Sequence, residues 1–167
     1  MKCNTTGKVA EPPKKYITEA GKYVFKIEKF EDDGYTNGGE QKLKAHYVAQ
    51  RIIMVEGKAT LSEDVYTMTE NNLSMDENLA WLVLRIRDAL KSPENFDTED
   101  WVGRFLIADI YMREHGDKKY ATVSGYSYSK QNDKLPPIPE AKSAEDVVAE
   151  VVTDISVGDI DEDEIPF

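Results

Sequence analysis

Flat rings and positive charge recur together in this chain. Lys26, Lys44, His46 and Arg51 fall in stretches of alternating polarity, and Tyr35 falls in a segment rich in glycine and aspartate. Tyr111, Arg113, Lys118, Lys119, Tyr120, Tyr126 and Tyr128 crowd between positions 111 and 128. Unpaired nucleobases expose π-faces that stack on tyrosine for about 1–3 kcal/mol each, while Lys and Arg neutralise the phosphates between them. The set therefore suits a single strand of nucleic acid. In the last of these stretches Ala121, Val123 and Gly125 alternate with Tyr120, Thr122, Ser124, Tyr126 and Tyr128, so strict period two predicts three tyrosines on one polar face. The competing expectation is that tyrosines in β-proteins pack their rings and leave only the hydroxyl in water.

Other chemistry has less to work with. There is no Walker A loop, no GxGxxG after a strand, no GxSxG elbow and no HExxH. Glu31, Asp32 and Asp33 offer carboxylates for Mg²⁺, but in a glycine-rich segment without a rigid partner. His46 and His115 are far apart, and the single cysteine, Cys3, permits neither an internal disulfide nor a Cys/His zinc site. The expectation is a non-catalytic protein with no cofactor and no metal.

Charge is distributed unevenly over the 167 residues. From Glu140 to Phe167 ten acids face one base, Lys142, so −9 of the net −11 lies there and −2 remains for residues 1–139. A nearly neutral body can still present a local basic surface. No run of about 18 apolar residues exists, and the N-terminus lacks the apolar core of a signal peptide, so a soluble cytoplasmic protein without membrane contact is expected.

Those residues must be positioned by a folded unit. Residues 1–20 read as an arm. Gly21 to Phe30 alternates in period two and predicts a first strand; Asp32 to Gly39 predicts a long mobile loop. Leu43 to Val55 predicts a second strand and Lys58 to Thr69 a third. Ser74-Met-Asp-Glu77 matches a capping box ahead of Leu79, Leu82, Val83, Ile86 and Leu90 at helical spacing, which Ser92-Pro93 ends. Trp101 to Arg113 and Lys119 to Tyr128 then form a closing hairpin. Leu135-Pro-Pro-Ile-Pro139 marks the end of the domain, and residues 136–167 read as a Pro-rich linker and a disordered acidic tail. The order βββ-α-ββ is that of a five-stranded OB-fold barrel, mainly β with one helix, although other small barrels and α+β sheets share it.

The tail ends Asp161-Glu162-Asp163-Glu164-Ile165-Pro166-Phe167, an acidic run closed by a stiff apolar tip, which suits docking into a pocket with a basic rim. This ending closely resembles the tip of bacterial single-stranded DNA-binding proteins. Trp101-x-Gly-Arg-Phe-x-x-Ala-Asp, Tyr120-Ala-Thr-Val and Leu135-Pro-Pro-Ile-Pro resemble phage-type OB-fold single-stranded DNA-binding proteins. The resemblance implies that the barrel coats single-stranded DNA in replication, recombination or repair. It also implies that Asp161 to Phe167 recruit replication or recombination proteins and compete with DNA for the barrel. An exposed strand edge leaves a homo-oligomer open. Two rivals stand beside this: an OB-fold interaction module, such as a phage adaptor or inhibitor that never touches DNA, and a Mg²⁺-dependent nuclease or its regulatory subunit.

Overall fold

Alternating side chains build the sheet. Tyr23, Phe25 and Ile27 in β1 (Gly21–Tyr35) and Ala45, Tyr47 and Ala49 in β2 (Gln41–Val55) are all buried, while Lys22, Lys26 and Glu28 are exposed. The computed structural model describes residues 14–141; residues 1–13 and the acidic tail with Asp161 to Phe167 lie outside the described residues. The strands β3 (Lys58–Leu61), β4 (Tyr66–Leu73), β5 (Phe105–His115) and β6 (Lys118–Tyr128) complete a six-stranded antiparallel sheet of order β3-β2-β1-β5-β6, with β4 also on β2. The single α-helix, α1 (Ala80–Leu90), lies between β4 and β5 in the chain. No helix among the described residues is long and apolar enough to cross a membrane.

Six strands replace the expected five because the third is interrupted. β3 pairs with Ile52–Val55 and β4 with Leu43–Ala49, so both run along one edge of β2. Between them Ser62 leaves the ladder: its Oγ accepts from the Arg51 amide at 3.0 Å and donates to the Asp64 carbonyl at 2.9 Å. The first half of the expected long loop at Asp32–Gly39, up to Tyr35, is strand. A register shift between Asp32 and Tyr35, with Gly34 at φ 86°, absorbs the turn-prone residues, and only Thr36–Glu40 form the connection.

α1 starts six residues after the expected cap. Ser74 is buried, and its Oγ accepts from the Asp76 amide at 3.1 Å, a local turn that competes with helix initiation. Val83, Ile86, Ala89 and Leu90 then face the core, and Lys91 closes the helix in the left-handed region at φ 54°. Trp101 is in a 3₁₀ turn (Thr98–Trp101) rather than a strand; it is fully buried, stacks on Phe96 at 4.6 Å and donates Nε1–H to Ser92 at 2.9 Å.

The body extends past both expected boundaries. Ile17 is a core residue, and Tyr16 bridges Thr67 in parallel. At the other end Ile138 packs on the core, and the Ala141 amide donates to the Asn95 carbonyl at 2.9 Å. The prolines do not end the body here: Pro136, Pro137 and Ile138 line a groove together with Leu90 and Tyr128.

Between β4 and β6 the described residues form no backbone ladder; side chains join the two edges instead. Glu70 of β4 is nearly buried and ion-paired with Arg85 of α1. It also accepts from the hydroxyls of Tyr47 at 3.1 Å and Tyr126 at 3.0 Å. Arg85 lies over the rings of Trp81 and Tyr126, at 5.2 and 5.0 Å. A buried carboxylate is tolerable only when it is well hydrogen-bonded, and three donors reach its two oxygens.

Candidate nucleic-acid interface

Directly paired residues of an antiparallel ladder share a face, so the register assigns each candidate side chain. In β5 and β6, Tyr111 pairs with Thr122, Arg113 with Tyr120 and His115 with Lys118. Their neighbours Ile110, Val123, Met112 and Ala121 belong to the core, so Tyr111, Arg113, Lys118 and Tyr120 lie on the outer face of this hairpin. In β1 and β2, Lys26 pairs with Val48, Lys29 with His46 and Glu31 with Lys44, again opposite the core residues Ala45, Tyr47 and Ala49. β4 continues the surface, with Thr69 beside His46 and Thr67 beside Val48.

These two clusters meet across the gap between the sheet edges. A groove of about 280 Å³ is lined by Thr67, Met68 and Thr69 on one side, Lys119, Tyr120 and Ala121 on the other, with Tyr16 and Ile17 between them. One outer face thus runs from Tyr120 over Thr67 and Thr69 to Val48 and His46, and on to Lys26, Lys29 and Lys44. Tyr35 is 69% exposed at the end of the β1–β2 hairpin, where it lines a shallow groove with Asn37, Lys42 and Asn72.

Positive charge on this face is largely uncommitted. Lys26, Lys29, Lys44, Arg113 and Lys118 make no ion pair among the described residues. The ammonium of Lys26 lies 5.9 Å from the Phe105 ring centre. His46 Nε2 is 2.7 Å from Glu31 Oε2, and this hydrogen bond holds the Glu31 carboxyl below its ordinary range. Lys119 pairs with Glu114 at 3.6 Å, both side chains largely in water, which is worth little against a phosphate.

Three expected site residues lie elsewhere. Tyr126 turns inward with the core, its ring edge-on to Phe25 at 6.1 Å and its hydroxyl on Glu70. Burial, then the Glu70 charge, pushes its phenol well above the ordinary value; burial does the same for Tyr47. The cause is a bulge: the register between β5 and β6 shifts at Asp109/Ile110, so Gly125 pairs with Asp109 but Val123 with Ile110, and Ser124 is the extra residue. Alternation restarts in the opposite phase, and Tyr126 and Tyr128 share the side of Val123 rather than that of Tyr120. Tyr128 hydrogen-bonds Asp133, which raises its phenol, and Lys91 sits 4.1 Å over its ring in a groove lined by Leu90, Pro136 and Ile138. Arg51 is engaged with Glu19 and donates to the Ala20 carbonyl at 3.1 Å, where it fastens the arm.

Residues the sequence pattern did not single out complete the face: Lys29, Thr67, Thr69 and Tyr16. Lys29 is hidden by the register shift between Ile27 and Lys29, and Tyr16 by an arm without periodicity. No three His, Cys, Asp or Glu side chains among the described residues gather to hold a metal ion. The sequence matches no protein-family model and no curated protein, so the character of this face rests on its own geometry.

Proposed function

We propose that this chain is a non-catalytic, sequence-tolerant binder of single-stranded DNA, built on an OB-type barrel. The single observation that carries this reading is the convergence of Tyr120, Thr69, His46, Lys29 and Lys44 on one outer face from separate stretches of the chain. OB-folds bind oligonucleotides on the face of their second and third strands, between the loops that follow strands one and four. Counting β3 and β4 as one interrupted strand, that face is β2 and β4, and those loops are Thr36–Glu40 and the turn at Gly116–Asp117. The order β4-β2-β1-β5-β6 agrees with this scheme, and the side-chain junction through Glu70 stands where the barrel would close.

The acidic tail belongs to the same reading on sequence grounds. Asp161 to Phe167 would recruit replication or recombination proteins, and the tethered negative charge would compete with phosphate at an effective concentration of order millimolar. Titration of labelled oligo-dT at several salt concentrations tests the main claim: log K should fall with log salt by about 0.7 per phosphate neutralised. Negligible binding at low salt would overturn it.

One observation favours the interaction-module reading instead. Val24, Ile52, Ala59, Leu61 and Ile107 line an apolar groove of about 560 Å³, with Met54 and Val55 exposed on the β2–β3 hairpin. A chain that contacts only proteins would use this surface and show no response to oligonucleotide.

A further inference from the structure

The geometry points to a slot between Tyr16 and Tyr120 that takes one unpaired nucleobase, stacked against the ring the N-terminal arm supplies. This rests on the nucleic-acid reading above and adds to it a residue outside the sheet. Tyr16 is 65% exposed and Tyr120 49%, they line the same groove, and neither ring is stacked on another aromatic among the described residues. Ile17, Met68 and Ala121 give the lining apolar surface, and Thr67 and Thr69 line it as well. At about 280 Å³ the groove falls at the lower limit of small-molecule pockets, about 300 Å³, a size that favours one ring system.

An exposed ring usually moves freely, but Tyr16 is fixed on both sides. Before it, the Lys15 carbonyl accepts from the Thr67 amide at 2.7 Å, and the Lys15 ammonium meets Asp64 at 2.7 Å. After it, Ile17 is buried in the core, Glu19 engages Arg51, and the Glu19 carbonyl accepts from the Tyr23 hydroxyl at 2.7 Å. The arm thus presents an apolar ring to solvent with its backbone already ordered, which removes an entropic cost of binding. Charge selects the occupant. Lys119 lines the slot, and Arg113 pairs directly with Tyr120 across the ladder, so cations stand where the phosphates flanking a stacked base would run.

The test uses the full chain, fluorescein-labelled oligo-dT, and the same oligonucleotide carrying 5-iodouracil for photocrosslinking. Wild type should bind. Tyr16→Leu should weaken binding about tenfold, within the range for loss of one stacked base, whereas Tyr16→Phe should bind like wild type. Crosslinks of wild-type protein, mapped by mass spectrometry, should fall on Tyr16 or Tyr120, a readout independent of how any variant folds. No binding by wild type would sink the nucleic-acid reading and the slot with it. Binding by wild type with crosslinks confined to other residues, or equal affinity for Tyr16→Leu, would remove the slot and leave that reading standing.

Discussion

Tyr120 and Tyr126 lie six residues apart on one strand and live in opposite worlds. Tyr120 is half in water beside Arg113, whereas Tyr126 is enclosed with Phe25, Tyr47, Glu70 and Arg85. The same ring and hydroxyl serve as a candidate stacking surface at one end and as a polar bolt at the other. What separates them is Ser124, one extra residue that reverses the phase of the strand. Residue type alone therefore does not distinguish a contact surface from a structural junction; phase relative to the partner strand does.

The junction should be the costlier end to disturb. Glu70→Ala would leave Arg85 close to buried without its counter-charge and the Tyr47 and Tyr126 hydroxyls with only their 3.4 Å contact to each other, so a loss of about 3–5 kcal/mol is expected in urea unfolding. A loss below about 1 kcal/mol would show that the two edges are held by something else.

Alkali should separate the tyrosines next. Tyr47 and Tyr126 hold their protons more tightly folded than unfolded, because burial disfavours phenolate. Their contribution is therefore complete below the unfolded value near 10 and is lost as pH rises beyond it. Near-ultraviolet titration should show that Tyr47 and Tyr126 ionise only when the fold collapses. Release of all nine tyrosines in one step with the fold intact would contradict the enclosure of Tyr126.

Smaller effects sharpen the comparison from the other end. Tyr120→Leu should weaken oligo-dT binding by about 1–3 kcal/mol and change stability by no more than about 0.5 kcal/mol. Tyr126→Phe should do the reverse, costing about 1 kcal/mol of stability and leaving affinity at matched temperature unchanged. Equal affinity losses for both would erase the distinction between the two ends. Lys44→Ala should lower the salt slope of binding by about 0.7, one phosphate's share, without moving the melting temperature.

Local pattern carried the strands and the helix face. Tyr23, Phe25 and Ile27 alternate and are buried, and Val83, Ile86 and Leu90 recur at helical spacing and face the core. What local pattern cannot carry is register, since a bulge belongs to two strands at once. Nothing between Lys118 and Tyr128 marks Ser124 as extra until β5 lies beside it. Ser74 shows the same limit at a helix start: the capping-box residues are present, but burial of the hydroxyl commits it to Asp76. Within the candidate face, Lys26, Lys44, His46, Tyr111, Arg113 and Tyr120 were legible from alternation. Tyr16 was not, because a pairing with Thr67, fifty-one positions away, places it.

Where two strands are joined by main-chain amides, nearly any pair of side chains can sit along the join. The edges of this sheet are held by Glu70, Arg85, Tyr47 and Tyr126, whose chemistry is specific. Shape here is thus written at a few replaceable positions, and a conservative exchange such as glutamate for glutamine would loosen the junction while every strand kept its hydrogen-bonded partner. Apart from Thr67, whose amide is held by the Lys15 carbonyl, amide protons along those two margins should swap with deuterated solvent ahead of those in the interior of the sheet.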